Sequence, residues 1–320
     1  MGFLQKLLQY KKVCIQCHNN PDGDAIASSF AVSQYLQAHG IEAQIIYGGN
    51  LRIQKSALLL MIKECNIDIR HAASLPEGTE LLLYVDCQRN SGNVETFEAP
   101  CYAIIDHHLR LVEENEMYLI KPYQSCSTIL WELLNEEHFP LGDQLKVALL
   151  YGLYTDTSQY GDLFAAKDTN MKLELFDNQP LFERLAKSTM SVAELLIAGD
   201  ALLNHYLDFD RKFAIVEALK CDQTILGAIG DIIICVDVIN LSFVYCETDD
   251  GYRISLRSSH EKVFASEAAK YVCRSLGNGG GHKSKAGGYL SKEKIMAQYG
   301  NITIFDLVNQ LVCEYIDSLN

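Results

Sequence analysis

Residues 13–29 read VCIQCHNNPDGDAIASS, and this stretch joins an apolar segment to a helical one through a polar turn. Val13–Cys17 is short and nearly all apolar, which is typical of a strand buried on both faces of a parallel sheet. Ala25–Ala38 then carries the 3.6-residue periodicity of a helix. The turn between them holds three side chains that can bind a metal ion, namely His18, Asp22 and Asp24.

The same alternation of strand and helix continues over the first 110 residues. Further strands are predicted at Ala43–Tyr47, Leu81–Val85 and Tyr102–Ile105, with a helix at Gln54–Cys65. Alternating strands and helices predict an α/β domain, a parallel sheet with helices on both faces. Two more helices are predicted at 126–138 and 144–155, and the second is apolar nearly all round and therefore buried.

A second, smaller domain is expected because single cores rarely grow beyond about 250–300 residues. Short strands are predicted at Ala214–Glu217, Ile232–Val238 and Arg253–Leu256, followed by a helix at 302–317. This pattern predicts a mixed α/β domain. We therefore predict a first domain at 1–200, a linker at 201–212 and a second domain at 213–320.

The composition is that of a globular protein without an extended basic surface. Hydrophobic residues make up 48% and charged residues 21% of the 320 positions. The formal net charge of −14 disfavours binding to long duplex nucleic acid, which needs a basic face. Residues 251–290 are different, because seven Lys or Arg against two Asp or Glu give a local balance of +5. We expect this segment to bind a small anionic ligand.

Cysteine usage and hydropathy predict a cytoplasmic protein. Most of the eleven cysteines lie in apolar runs, which favours reduced, buried thiols. Cys14 and Cys17 lie three positions apart in a strand and so point to opposite faces, which disfavours a thiolate metal site. The longest apolar stretch, Leu226–Leu241, contains two aspartates and is shorter than the roughly 20 residues of a spanning helix. No membrane partner is expected.

Metal-ligand side chains follow three of the predicted strands. Besides the turn after the first strand, Asp86 follows Leu81–Val85, and Asp106, His107 and His108 follow the next strand. Each acid alone is also a reasonable turn or helix-cap residue, as Asp24 would be for the helix beginning at Ala25. The carboxyl ends of parallel strands meet at one edge, where so many carboxylates repel unless a cation neutralises them. Asp156 lies at the end of a buried helix, where a carboxylate without a neutralising cation would also be costly.

The donor types indicate which metal would bind. A set of two imidazoles with four carboxylates, drawn from these eight candidate side chains, is too rich in nitrogen for magnesium and too poor in thiolate for structural zinc. Manganese fits best, with cobalt, iron and zinc as alternatives. Six protein ligands exceed the need of one open catalytic ion, so we expect two divalent ions about 3.5–4 Å apart.

These segments resemble a known family. HNNPDGDAIASS (18–29), VDCQ (85–88), IIDHH (104–108) and YGLYTDT (151–157) resemble motifs one to four of the DHH phosphoesterase superfamily. ISLRSS (254–259) and GNGGGHKSKAGG (277–288) resemble its DHH-associated domain. Chain length and layout resemble the NrnA-like branch, whose members degrade nanoRNA or dephosphorylate pAp.

The resemblance implies a role for each motif residue. The implied metal ligands are His18, Asp22, Asp24, Asp86, His107 and Asp156, with Asp86 bridging the two ions. It implies that Asp106 orients His107 and that His108 faces the scissile phosphate. The residues implied to bind a terminal phosphate or base are Arg257, Ser258, Gly279, Gly280, Gly281 and His282. A flexible turn is the alternative interpretation of the glycine run.

The implied activity is hydrolysis of short oligoribonucleotides, linear dinucleotides such as pApA, or pAp, by a water that bridges the metals. A pyrophosphatase or exopolyphosphatase and a non-catalytic nucleotide sensor remain alternatives. Residues 157–171 depart from the pattern of the nanoRNase branch, which leaves the substrate open. The expected partner is a short nucleotide, and a homodimer is compatible with the sequence.

Overall fold

The chain forms two units that divide between Met190 and Ser191. The computed structural model describes residues 2–50, 52–89, 91–109, 117–176, 179–188 and 190–319. Each unit contains one six-stranded sheet and its own apolar core among these residues.

The elements of the first unit follow the predicted alternation. They are α1 (Phe3–Leu7), β1 (Lys12–Cys17), α2 (Gly23–Ala38), β2 (Glu42–Tyr47), α3 (Ser56–Glu64), β3 (Ile69–His71), β4 (Leu81–Val85), β5 (Tyr102–Asp106), β6 (Met117–Ile120), α4 (Cys126–Glu136), α5 (Asp143–Asp156), α6 (Ala166–Leu175) and α7 (Pro180–Lys187). The four predicted strands and four predicted helices are all confirmed, with ends that differ by two residues or fewer. The short strands β3 and β6 were not predicted.

The first sheet is parallel throughout, in the order β3-β2-β1-β4-β5-β6. This confirms the predicted α/β class. The strand order reverses between β1 and β4, and in open parallel sheets ligands bind outside the carboxyl ends of the strands at such a switch point. Helix α5 lies against α2 and α4 and is buried over most of its length, as its apolar sequence predicted.

Helix α2 begins at the acidic turn because Asp22 caps it. The Oδ1 atom of Asp22 accepts hydrogen bonds from the backbone N–H groups of Asp24 and Ala25, at 3.0 Å each. The suggestion that Asp24 caps the helix is therefore wrong, since Asp24 lies inside the first turn. An aspartate cap of this kind stabilises a helix by about 1 kcal/mol.

The second unit is a mixed α/β domain, as predicted. Its elements are α8 (Val192–Leu203), β7 (His205–Asp208), β8 (Phe213–Ala218), α9 (Gln223–Ile233), β9 (Leu241–Glu247), β10 (Gly251–Ser258), α10 (Ala265–Cys273), β11 (Gly277–Gly281), β12 (Lys285–Ser291), α11 (Lys292–Tyr299) and α12 (Ile304–Asp317). The sheet order is β11-β12-β10-β9-β8-β7, in which β8 and β9 are parallel and the other neighbours antiparallel.

Two predictions for this half of the chain are corrected by the structure. The predicted strand at Ile232–Val238 is the end of helix α9 and the turn after it. A continuous apolar run is compatible with a buried helix and with a buried strand. Here the Asp222 side chain caps the N-terminus of α9 by accepting from the N–H of Thr224, which favours the helix. The predicted linker at 201–212 lies within the second unit, because its residues form the end of α8 and strand β7.

No described helix has both the length and the apolar character needed to cross a membrane.

Candidate metal centre

The switch point of the first sheet brings the predicted ligands together. Gln16 of β1 is in register with Tyr84 of β4, so His18 and Asp86 emerge from neighbouring strands at the same level. Three groups of side chains each have ligand atoms within 4.8 Å of one another. The groups are His18, Asp22 and Asp86; Asp24, His107 and Asp156; and Asp86, Asp106, His107 and His108.

Asp86 connects the first and third of these groups. Its Oδ2 atom lies 3.8 Å from Nε2 of His18, and its Oδ1 atom lies 3.3 Å from Nε2 of His107. The residue is 2% exposed and has a φ of 59°, a left-handed conformation that costs a residue with a side chain about 1–2 kcal/mol. Such backbone strain is concentrated at functional sites. One carboxylate thus presents its two oxygens to two different histidines.

His107 is surrounded by acids. Its Nε2 atom lies 3.3 Å from Asp156 as well as from Asp86, and its Nδ1–H donates to the carbonyl of Tyr123 at 3.1 Å. Burial lowers the pKa of His107, but the carboxylates of Asp156 and Asp86 outweigh it and raise the pKa to about 12. The backbone carbonyl fixes the tautomer that leaves Nε2 directed at the acids.

The buried acids repel one another. Burial raises the pKa of Asp86 well above its usual value, and the neighbouring Asp24 raises it further. Burial and the same neighbour, with Asp22, raise the pKa of Asp156 to about 8. The cluster is therefore costly in its fully ionised form unless cations compensate the charge.

Oδ1 of Asp86 and Nε2 of His107 lie 3.3 Å apart as an ion pair, yet neither buried atom makes a well-aligned hydrogen bond among the described residues. Buried polar atoms are nearly always satisfied, so such orphans require an explanation such as an ion. The donor set of imidazoles and carboxylates suits a divalent transition metal. The residues therefore fit a divalent metal centre, and each of the six ligands predicted from the sequence belongs to at least one of the three groups.

Asp24 has an additional role that the sequence did not reveal. Its Oδ2 accepts from the N–H of Cys126 at 2.6 Å, and its Oδ1 accepts from the N–H of Ser127 at 2.8 Å. These are the first N–H groups of helix α4, so the acid binds the positive end of the helix dipole. Carboxylate oxygens have further lone pairs, and those of Asp24 lie near His107 and Asp156.

Asp106 contacts both histidines that follow it, His107 through the backbone and His108 through the ring. Its Oδ1 atom accepts hydrogen bonds of 2.8 Å from Nδ1–H of His108 and from the backbone N–H of His107, whereas the ring of His107 donates to the Tyr123 carbonyl. Oδ2 of Asp106 accepts from Nε2 of Gln88 at 2.6 Å. Burial raises the pKa of Asp106, but the bonds from His108 and Gln88 outweigh it and lower the pKa. His108, whose side chain is 56% exposed, is thus oriented by a buried carboxylate.

Gln88 and Tyr123 were missed from the sequence. Gln88 is 1% exposed and also donates to the carbonyl of Leu109 at 2.9 Å. It lies two residues beyond Asp86 at the same strand end, and that position was the available signal. Tyr123 contacts the His107 ring through its backbone carbonyl. Because every residue has such a carbonyl, the amino-acid sequence could not identify this contact.

In the second unit, Arg257 is already held by an acid. Its Nε donates to Oδ1 of Asp231 at 2.6 Å, and its Nη1 donates to the Ser255 hydroxyl and the Leu256 carbonyl at 3.0 Å. The guanidinium lies over Gly227, where a Cβ atom would come within 2.5 Å of Nη2. Asp231 interrupts an apolar stretch in the sequence, and its partner was not foreseen.

The glycine run forms strand β11 at the edge of the sheet rather than a flexible turn. A Cβ at Gly279 would lie 2.6 Å from the Ala269 carbonyl oxygen, so close packing against α10 requires glycine there. At Gly280 no atom of the described chain lies within 4 Å of an added Cβ, and Gly281 has a φ of 145°. Alternate strand residues face opposite sides, so Gly280 borders the face away from α10.

His282 lies at the same end of the sheet as Arg257. The N–H of His282 donates to the carbonyl of Lys285 at 2.7 Å, and Lys285 pairs with Arg257. Two strand spacings separate the backbones of His282 and Arg257 by about 10 Å. His282 and Gly281 are exposed.

Ser258 is not available for substrate binding in this structure. It is 9% exposed, its hydroxyl donates to the Val263 carbonyl, and the same oxygen accepts from the His260 N–H at 3.2 Å. These bonds close the turn after β10. The hydroxyl of Ser258 therefore has a structural role, which gives the implied substrate contact no support.

Each of the two units matches a known domain family. Residues 12–155 match the DHH family, N-terminal domain, and residues 210–299 match the DHHA1 domain. The first match contains the candidate metal ligands except Asp156, which follows its last residue. The second contains Arg257 and the run Gly279–His282.

The curated relatives align with this chain over only part of their own length. An uncharacterised protein of Methanocaldococcus jannaschii is 24% identical over 289 residues, which is 88% of this chain and 59% of that protein. A probable manganese-dependent inorganic pyrophosphatase of Streptococcus mutans is 25% identical over 150 residues, which is 46% of this chain and 48% of that protein. The chain thus spans about half to three fifths of the length of these relatives.

Solved structures share the fold. An exopolyphosphatase-related protein from Bacteroides fragilis has a TM-score of 0.77, with 99% of this chain and 97% of that chain covered at 18% identity. RecJ from Thermus thermophilus in complex with Mn²⁺ has a TM-score of 0.56, covering 98% of this chain and 53% of that one at 15% identity. At these identities the likeness concerns the fold and leaves the substrate open.

Proposed function

The chain belongs to the DHH phosphoesterase superfamily, with a DHHA1 domain after its catalytic domain, and from this premise we propose that it hydrolyses phosphate esters of short nucleotides. The substrates proposed are oligoribonucleotides of a few residues, linear dinucleotides such as pApA, and pAp. The reaction is the direct attack of water on phosphorus, assisted by two divalent ions, of which Mn²⁺ suits the donor set best.

The observation that carries this proposal is the geometry of Asp86. Its two carboxylate oxygens face His18 on one side and His107 on the other, at 3.8 and 3.3 Å. Asp86 would therefore help to hold a divalent ion on the side of His18 and another on the side of His107. Each histidine also belongs to a group with further acids, Asp22 on the side of His18 and Asp156 on the side of His107.

Divalent ions at this centre would supply Lewis acidity and an attacking water that is deprotonated near neutral pH. The protein's own contribution is positioning. Asp106 accepts a hydrogen bond from Nδ1–H of His108, so the doubly protonated ring would present Nε2–H as a hydrogen-bond donor to the substrate phosphate or as a proton donor to the leaving oxygen. No activated serine or cysteine is needed for direct attack by water.

The second unit is proposed to bind the end of the nucleotide. Arg257 is proposed to contact a terminal phosphate through Nη2, because its Nε and Nη1 groups already donate to Asp231, Ser255 and Leu256 and so fix the plane of the guanidinium. The exposed His282 lies at the same end of the sheet, and Gly280 allows a ligand to approach the backbone of β11 closely. Neither Ser258 nor Gly279 is included, because both have structural roles.

A second candidate function is hydrolysis of pyrophosphate or polyphosphate. It is favoured by the names of two relatives, a probable manganese-dependent inorganic pyrophosphatase and an exopolyphosphatase-related protein. Against it, the pyrophosphatase match spans less than half of this chain. A non-catalytic nucleotide sensor is disfavoured because all six ligand positions retain ligand side chains.

The experiment is a substrate panel with purified protein and either Mn²⁺ or Mg²⁺. The panel contains pAp, pApA, a five-nucleotide RNA, cyclic di-AMP and pyrophosphate. We expect hydrolysis of one or more of the linear nucleotides, higher rates with Mn²⁺, and no hydrolysis in EDTA. Release of phosphate from pyrophosphate alone would instead establish the second candidate, and nucleotide binding without any turnover would establish a sensor.

A further inference from the structure

The segment after Asp156, which departs from the family pattern, presents one aromatic side chain to solvent. Phe164 is 83% exposed, an unusual position for a large apolar ring. The other aromatic residue of the segment, Tyr160, is packed against Tyr154 and Phe182 at ring distances of 5.2 and 6.3 Å. The exposure of Phe164 is therefore not a property of the segment as a whole.

The backbone at Phe164 is held firmly by a single glutamine. Oε1 of Gln124 accepts hydrogen bonds from the N–H groups of Phe164 and Ala165, at 2.8 and 2.9 Å. Nε2 of Gln124 donates to the carbonyl of Asp162, and its backbone N–H donates to the buried carboxylate of Asp168 at 3.1 Å. The side chain of Gln124 thus uses both its polar atoms to fix the position of Phe164.

The turn that leads from the metal centre to Phe164 adopts an unfavourable backbone conformation. Ser158, Gln159 and Tyr160 have φ values of 49°, 62° and 68°, so three successive residues with side chains are left-handed. Left-handed residues normally occur singly, and runs of them persist only where the surrounding structure determines them. The chain therefore maintains this costly turn between Asp156 and the exposed ring.

Phe164 lies close to the candidate metal centre. The Tyr123 carbonyl, which accepts from Nδ1–H of His107 at 3.1 Å, belongs to the residue just before Gln124. Adding bond lengths and hydrogen bonds along His107, Tyr123 and Gln124 gives a path of about 16 Å, so the imidazole and the Phe164 nitrogen lie closer together than that. A nucleotide held through its phosphate at the metal centre can therefore extend its base towards the segment that carries the ring.

We propose that Phe164 is a base-stacking surface for the nucleotide that carries the scissile phosphate. Every nucleobase has a π-face, and an exposed aromatic ring on a fixed backbone binds that face without a large loss of conformational entropy. The proposal rests on the proposed function and narrows it, because a pyrophosphate substrate has no base to stack.

The test compares Phe164→Ala with Phe164→Trp on a substrate with and without its base. For pApA we expect Phe164→Ala to raise KM by about fivefold to a hundredfold with kcat nearly unchanged. For the same dinucleotide with an abasic residue at the scissile position, wild type and Phe164→Ala should have equal KM. Phe164→Trp should retain the wild-type KM, and its added fluorescence should be quenched by pApA.

Leu173→Ala is the matched control. Leu173 is an exposed apolar residue, 73% exposed, further along helix α6 from the site. This variant should leave KM for both dinucleotides unchanged.

Three outcomes would overturn the proposal. An unchanged KM for pApA in Phe164→Ala would exclude a stacking role, and an equal rise in KM for the abasic substrate would mean that the ring does not act through the base. A change in sedimentation velocity of Phe164→Ala would identify a subunit contact instead. Failure of the proposed function is separate, because wild-type protein would then hydrolyse none of the nucleotides before any variant is tested.

Discussion

The candidate metal centre and the Arg257 end of the second sheet hold their functional residues in different ways. At the metal centre, Asp86 and Asp106 are 2% and 1% exposed, and each is fixed by several neighbours. In the second unit, His282 is exposed and Gly280 borders open space. A buried cluster requires every member, whereas an open binding surface tolerates the loss of one contact. Substitutions in the first region should therefore lower kcat, and those in the second should raise KM.

The largest effect is expected for Asp86→Asn. The amide loses the charge and one of the two oxygens that face His18 and His107, so kcat should fall by about a thousandfold or more. Metal analysis of the purified variant should show a lower manganese content. Asp143→Asn is the control, since Asp143 is an exposed acid at the start of α5. Full activity of the wild type in EDTA would contradict the metal-centre interpretation.

A smaller effect on the same step is expected for His108→Ala. Loss of this group should lower kcat by about a hundredfold or more while the metal content stays at the wild-type level. Gln88→Ala should lower kcat less, by about tenfold, and shift the pH profile, because Asp106 loses a donor and holds His108 less well. If His108→Ala raised KM alone, the histidine would belong with the binding residues instead.

Substitutions at the proposed binding residues of the second unit should change KM and leave kcat nearly unchanged. Arg257→Ala should raise KM by about tenfold to a hundredfold, the value of a charge-assisted hydrogen bond to phosphate, with little change in kcat. Asp231→Asn should raise KM less, because it loosens the guanidinium without removing it. Ser258→Ala should leave KM unchanged and lower the melting temperature, since its hydroxyl closes a turn. An equal rise in KM for Ser258→Ala would contradict the assignment.

The sequence predicted best what depends on strand ends. The ligands after β1, β4 and β5 converge because parallel strands end at one edge, and that rule needs only the order of the elements. Partner choice between side chains was not predictable. Asp106 binds the ring of His108 but only the backbone of His107, and Asp231 binds Arg257. Such pairs depend on side-chain directions, which the order of the elements does not give. The helix at Ile232 was missed because an apolar run has no distinguishing period.

Proton uptake at the metal centre should make the stability of the metal-free protein depend on pH. The pKa of Asp156 is raised to about 8 in the folded protein, so its protonated form contributes stability at low pH that is lost as the pH rises through 8. The raised pKa of His107 acts in the same direction. In EDTA, calorimetry should give a melting temperature several degrees lower at pH 8.5 than at pH 5.5.

Manganese should reverse this trend, because the ion binds the deprotonated ligands more strongly as the pH rises. In EDTA, Asp156→Asn should depend less on pH than the wild type. A metal-free wild type that is equally stable at both pH values would contradict the account of the buried acids.

The smallest expected effect is a difference in stability between alanine substitutions at two neighbouring glycines in β11, Gly279 and Gly280. A Cβ at Gly279 would meet the Ala269 carbonyl oxygen at 2.6 Å and the Cys273 sulfur at 2.7 Å, so Gly279→Ala should destabilise the protein by about 1–3 kcal/mol. Gly280 has space for a methyl group and no left-handed φ, so Gly280→Ala should change stability by less than about 0.5 kcal/mol. Chemical denaturation would measure both.

Kinetics then reveal whether the open face of β11 binds substrate. If the nucleotide approaches the backbone at Gly280, the added methyl group should raise KM about threefold, a cost below 1 kcal/mol. The variant should keep the wild-type kcat, because the metal centre is untouched. A wild-type KM in Gly280→Ala would mean that the glycines of this strand serve packing alone, and the binding role of the second unit would then rest on Arg257 and His282.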